Sequence, residues 1–223
     1  MHATRRTMLK GLLGAAVAAG WASRGIAGED DRAAGDDLDE LVGFTVAHVS
    51  RTMRDEKTGE SVRLVYGNNG EFCADYRVAP GGFIPFEHYH SEQSEIFAIK
   101  GGRFTMWLDG KEHHAKVGDV VVVKPGMHHV GRNDGDEEMR AVVTFDPLLD
   151  ADEMFRRYWK LCDSGKVDAQ GRPSLDQLLF ATCDLASKTY DVSIPAALQD
   201  IARDAAKQLK HSAVVKVVAA QRR

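Results

Sequence analysis

The chain has 223 residues, with 29 Lys+Arg against 33 Asp+Glu and a formal charge of −4 at pH 7, a length that suits one domain with appendages. Its 43% hydrophobic and 28% charged content is that of a globular protein and excludes wholesale disorder. Three cysteines with no CxxC spacing exclude a disulfide scaffold or zinc ribbon. An acidic balance with no long basic run argues against nucleic acid as a partner, and no apolar run reaches the ~18 residues of a membrane span.

Residues 1–27 read as an export signal. Arg5, Arg6 and Lys10 precede an apolar run over 11–21, and the segment closes on the small residues of Gly25-Ile26-Ala27. Arg5-Arg6-Thr7-Met8-Leu9-Lys10 resembles the twin-arginine export motif, which implies a periplasmic or otherwise exported protein. Cleavage after Ala27 would remove four basic residues and no acidic one, taking the charge from −4 to −8. Residues 28–40 carry Glu29, Asp30, Asp31, Asp36, Asp37, Asp39 and Glu40, and are expected to form a solvated, mobile linker.

Residues 41–147 read as strand after strand. Segments 61–66, 71–79, 94–100, 103–108, 119–123 and 138–145 are short and rich in β-branched or aromatic residues. Turn signals such as Asn69-Gly70, Gly101-Gly102 and Pro125-Gly126 separate them. Asp109-Gly110 between 103–108 and 111–116 is a strong hairpin signal. The fold class expected is mainly β, a sandwich or barrel. Residues 148–223 turn helical, with helices predicted over 150–161, over 174–188 behind Ser174, and from Pro195 onward. Leu198, Ile201, Ala205 and Leu209 form one apolar stripe on the last helix, expected to pack on the barrel or on a partner subunit in a homodimer.

The β region holds a metal-ligand pattern. His88 and His90 are two apart, so an extended strand puts both imidazoles on one face, and Glu95 opens the next strand. A second element, Lys124-Pro125-Gly126-Met127-His128-His129, brings a further imidazole at a strand start. Three imidazoles and one carboxylate suit a divalent transition metal (Fe, Mn, Ni, Cu or Zn) and leave two positions of an octahedral ion open.

At these residues the chain resembles the cupins. The spacing of Gly82, His88, His90, Glu95 and Gly102 matches every position of the first cupin motif. Gly118, Gly126, His129 and Asn133 match the second, with Lys124 where proline is usual and Pro125 beside it. The resemblance implies a double-stranded β-helix, or jelly-roll barrel, followed by helices that lie outside the basic pattern. It implies His88, His90, Glu95 and His129 as metal ligands, with His128 on the opposite parity and turned away. It also implies a small-molecule ligand or substrate.

Other residues have weaker claims. Glu87 is the nearby acid or base candidate, and Glu92 flanks the same strand. Phe97 and Ile99 share the parity of Glu95, and Tyr76, Phe83, Met106, Trp107 and Phe145 are candidate pocket or core side chains. His113 and His114 occupy one hairpin arm, where at most one faces inward. Cys73 is expected to be buried, while Cys162 and Cys183 fall in helical segments and are a candidate pair.

The resulting expectation is an exported, metal-dependent dioxygenase or isomerase acting on a small oxygenated substrate. The alternative is a non-catalytic module that holds a small ligand or the metal itself. A chain cut after Pro147 is expected to keep its metal, because all four donors precede the cut. Export gives the first test: replacing Arg5 and Arg6 by Lys should abolish delivery across the membrane, and cell fractionation that finds the variant still exported would reject the twin-arginine reading.

Overall fold

A computed structural model describes residues 35–212. The expected export signal and the first part of the acidic linker lie outside the described residues. The rest of that linker departs from expectation: α1 (Gly35–Val42) is a helix with Leu38 buried, and Asp39 Oδ1 accepts a bond from the Val46 amide. Leu41, Val42 and Phe44 pack on Val65, Cys73 and Val142. Apolar positions at helical spacing gave this segment a face to bury, which an inventory of its charges passes over.

Period-two alternation organises the body. β1 (Val46–Val49), β2 (Met53–Asp55), β3 (Glu60–Gly67), β4 (Phe72–Val78), β6 (Ser94–Gly101), β9 (Val120–Val123) and β11 (Met139–Asp146) make a seven-stranded sheet. Its order is β1-β3-β4-β11-β6-β9, with β2 also paired to β3. β5 (His88–His90), β7 (Arg103–Leu108), β8 (Lys111–Lys116), β10 (His129–Arg132) and β12 (Thr189–Asp191) make a second sheet, ordered β12-β5-β10-β7-β8. The two sheets form a mainly β jelly roll followed by helices, as the sequence led one to expect. Along β6, Glu95, Phe97 and Ile99 are buried while their neighbours are partly exposed, so one face meets the core. Val62, Leu64 and Ala74 from the first sheet and Phe104 and Met106 from the second complete that core.

The motif residues outside the metal set are structural. Asp109 and Gly110 take φ of 48° and 73°, the left-handed pair that a two-residue hairpin requires. Gly102 has φ of 61°, and a Cβ there would sit 2.7 Å from the Glu138 carbonyl oxygen. Asn133 is fully buried; its Nδ2 donates to the carbonyls of Val78 and Glu137, each at 2.8 Å, and ties the turn before β11 to the end of β4.

Two corrections concern the helical extension. α2 (Ala151–Asp163) and α3 (Leu175–Thr182) form as helices, but α3 stops well short of residue 188. Asp150 at the start of α2 accepts the amides of Ala186 and Ser187 at 2.8 and 2.6 Å, which fixes 183–188 outside a helix. The β-branched and aromatic pair Thr189-Tyr190 then enters β12. β12 pairs antiparallel with β5, setting Thr189 against His90 and Asp191 against His88. The extension is therefore partly built into the barrel's second sheet.

The other correction concerns α4 (Ala196–His211). Leu198, Ile201 and Leu209 are 57, 67 and 56% exposed, and Ala205 is exposed as well. Gln199, Arg203 and Ala206 are buried instead. β12 ends its sheet, so its outer backbone groups need partners other than a strand. Gln199 Nε2 donates to the carbonyls of Asp191 and Ile194 at 2.8 Å each, its Oε1 accepts the Asp191 amide at 3.1 Å, and Arg203 donates to the Thr189 carbonyl at 3.2 Å. Tyr190 donates its hydroxyl to Asp200 at 2.6 Å. The apolar stripe is not what holds α4 to its own barrel. Cys73 is buried as expected, and the candidate pair Cys162 and Cys183 are both buried and free, not joined.

Arg203→Ala should therefore lower stability by about 1–3 kcal/mol by orphaning a part-buried carbonyl, whereas Ile201→Ser should stay within about 0.5 kcal/mol. Urea unfolding checks both, and equal losses would restore the stripe as the contact face.

Candidate metal centre

Register brings the imidazoles together. His88 and His90 lie on β5, and His129 on β10 stands opposite His88. Ring centroids are 4.1 Å apart for His88 and His129, 5.3 Å for His88 and His90, and 5.5 Å for His90 and His129. Glu95 reaches them from β6 in the other sheet, its Oε2 2.9 Å from His129 Nε2 and 3.2 Å from His90 Nε2. One donor atom from each of the four residues lies within 4.8 Å of all the others. Donors about 2.1 Å from a common ion span a comparable distance.

The outer nitrogens support the same reading. His88 Nδ1 donates to the Phe86 carbonyl at 3.1 Å and His129 Nδ1 to the Met127 carbonyl at 3.3 Å. His90 Nδ1 is 3.1 Å from the hydroxyl of Thr189. With Nδ1 engaged outward, each ring presents Nε2 to the cluster, the arrangement that fixes tautomer and orientation in metal sites. Burial, reinforced by the His129 and His90 rings, holds the His88 imidazole well below its ordinary pKa and so neutral, the ligating form. Burial alone would raise the Glu95 carboxyl, but the adjoining His129 and His90 rings override it and hold the group below the usual carboxylate range. The cluster fits a divalent transition metal, in a donor set that suits Fe, Mn, Ni, Cu or Zn alike.

A cavity opens beside the cluster, with about 780 Å³ of atom-free space including its mouth. His88, His90 and Glu95 form part of its wall, and Tyr76, Phe86, Phe97, Phe155, Tyr158 and Trp159 supply aromatic faces. Neither Lys nor Arg is among the described residues that line it.

The remaining sequence candidates separate cleanly. His128 turns away, its ring stacked on Tyr89 at 5.3 Å. Glu87 is outside the cavity wall and Glu92 is exposed. His113 and His114 are both exposed. Phe97 and Tyr76 line the cavity, while Ile99 and Met106 are core. Phe145 packs edge-on to His90 at 5.4 Å. Trp107 lies under the Arg132 guanidinium, and Phe83 is partly buried and bridged to Arg132.

The sequence reading missed Glu60, Thr189 and the α2 rings Phe155, Tyr158 and Trp159. Glu60 is buried in the cavity wall, and Tyr76 donates to its Oε1 at 2.5 Å. It stands just before the strand read from residue 61, where no spacing singles it out. Thr189 fell in a stretch read as helix up to its edge.

Comparison with known proteins finds a family match over the barrel. Residues 74–145 match the family described as "Cupin domain", a segment that contains all four donors but neither Glu60 nor Thr189. "Protein SchB" of Streptomyces halstedii is 35% identical over 71 residues, 32% of this chain and 51% of that protein. "Quercetin 2,3-dioxygenase" of Bacillus subtilis (strain 168) is 30% identical over 90 residues, 35% of this chain and 27% of that protein. The chain thus spans about half or less of the length of these curated relatives. A solved structure described as a predicted oxalate decarboxylase from Thermotoga maritima is 22% identical over 41% of this chain and 86% of that chain, with a TM-score of 0.35.

Single changes His88→Ala, His90→Ala, Glu95→Gln and His129→Ala should each lower metal content, and His128→Ala should leave it nearly intact. Elemental analysis of the purified variants checks this; loss in His128→Ala with retention in His129→Ala would reverse the assignment. Thr189→Val keeps the side-chain shape but drops the hydroxyl partner of His90, and should weaken metal affinity by about 10–100-fold. A cut after Pro147 keeps all four donors but removes that hydroxyl and all of β12, so the truncated chain should still bind metal, with weakened affinity.

Proposed function

We propose that this protein is a metal-dependent enzyme of the cupin type, acting on a small, flat, oxygenated molecule of apolar or aromatic character, and that its chemistry is of the dioxygenase kind. The observation that carries this reading is the cavity: a four-donor cluster beside aromatic walls, without a cationic side chain among the described lining residues. A phosphorylated or polycarboxylate substrate would meet the acids Glu60 and Glu95 there without an Arg or Lys to match its charge. A planar enol, catechol or diketone would stack on the rings and keep its polar edge toward the donors. The likeness to a quercetin dioxygenase over 90 residues supports the same class.

His88, His90, Glu95 and His129 would hold the metal. Once bound, it supplies Lewis acidity and, if Fe or Cu, one-electron chemistry with dioxygen. The chain's own residues do the rest. Phe86, Phe97 and Phe155 exclude water and orient the flat substrate. Thr189 keeps the His90 ring in register with the other donors. The twin-arginine-like pattern in residues 1–27 supports export of the enzyme from the cytoplasm.

The test loads the protein separately with Fe, Mn, Ni, Cu and Zn and follows oxygen uptake with catechols, flavonols and 1,3-diketones, and product formation with sugar phosphates. Oxygen uptake on a flat enol with a redox-active metal is the expected result. Oxygen-independent turnover of a sugar phosphate would replace it with an isomerase, and tight binding without turnover would leave a ligand-binding module.

A further inference from the structure

The cavity has a second functional wall. Glu60 opens β3 across from Val78 at the end of β4, with its carboxyl buried and no cation among the groups acting on it. Tyr76 Oη donates to its Oε1 at 2.5 Å. Thr58 lies beside it, Asp55 faces it from β2, and Tyr158 and Cys162 face it from α2. Asp55 Oδ2 is itself buried without a partner among the described residues. A buried carboxyl matched only by hydroxyls is costly as a structural element, because it must be desolvated without a counter-charge. Val or Leu would fill the position without that penalty. Glu60 and Tyr76 share the wall with His88, His90 and Glu95, so a molecule filling the cavity meets the four-donor cluster and this carboxyl–phenol pair together.

We propose that Glu60, held by Tyr76, is the proton acceptor for the hydroxyl of an enol or phenol substrate, an inference that rests on the substrate class proposed above. The step is a simple transfer. The substrate O–H bond breaks, its electron pair stays on the substrate oxygen as enolate or phenolate, and the proton forms an O–H bond on the Glu60 carboxylate. No oxidant or reductant is consumed. The Tyr76 hydroxyl donates to the other oxygen throughout and keeps the carboxyl fixed, so Tyr76 is a positioning residue. Burial pushes the Glu60 carboxyl up to about 7, against the lowering effect of the Tyr76 and Thr58 hydroxyls and with the Asp55 carboxyl adding to the rise. Near neutral pH such a group both takes and returns a proton, which suits an acid–base residue. Glu87, the acid singled out by its closeness to the ligand strand, has no place in this step, since it lies outside the cavity wall.

The experiment uses the full chain loaded with Zn, which is redox-inert, and 4-nitrocatechol, whose visible spectrum reports ionisation of its hydroxyl. Metal content is measured on each sample as the check of folding. The bound probe should ionise in the wild type at a pH about one unit below that needed in E60Q, a tenfold difference in the proton-transfer equilibrium. Infrared titration should show a carboxylic-acid C=O band that disappears through about pH 7 and is missing in E60Q. Y76F keeps the carboxyl and removes its donor, so the midpoint of that band should move up; this variant keeps the question decidable if E60Q fails to hold Zn. Probe binding with an unchanged ionisation midpoint in E60Q overturns the inference alone, as does an unmoved infrared midpoint in Y76F. Failure of the wild type to bind the probe overturns the proposed substrate class, and the inference with it.

Discussion

A carboxylate taken into an apolar interior has to be matched by donors, and this fold is arranged around one such match. Glu95 comes from the seven-stranded sheet and accepts contacts from His90 and His129 on the facing sheet. The two layers are joined there by polar contact at a point where the surroundings are Phe97, Phe145 and Val143. Desolvation on its own would leave the carboxyl protonated, so its ionisation reports that the imidazoles are in place. Strand register, the turn glycines and the buried Asn133 all serve to hold those few donors at a common point.

The clamp on that point extends outward in layers. The His88 and His129 rings are steadied by main-chain carbonyls two residues away on their own chain segments, and His90 by Thr189, distant in sequence. Thr189 belongs to β12, β12 lies at the edge of its sheet, and α4 satisfies that edge through Gln199 and Arg203. Buried polar residues on a helix usually look like misplacements. Here they do what a neighbouring strand would do, which explains why α4 turns Gln199 inward and leaves Leu198 in solvent.

The sequence was most legible where period and spacing act together. Alternation over β6 and the HxH parity of β5 place His88, His90 and Glu95 on inward faces without any knowledge of tertiary contacts. Two adjacent histidines left the fourth donor open, and the cupin resemblance chose between them. The extension was read less well, because two signals competed over 183–191. Helical propensity continues past Thr182, but Asp150 captures the next amides and hands the chain to β12. That capture is invisible to a local reading. Glu60 was missed for a related reason: a single acid at the edge of a strand carries no signal of its own until the walls around it are known.

The span between Thr189 and His90 sets the order in which the site is completed. The four donors are all made by residue 129, yet the strand that pins His90 is not made until residues 189–191, and the helix that grips that strand comes later still. Closing so long a loop is among the slower events of folding. A growing chain therefore owns every ligand atom well before Thr189 arrives to pin the His90 ring, and its grip on a metal tightens once β12 and α4 have docked.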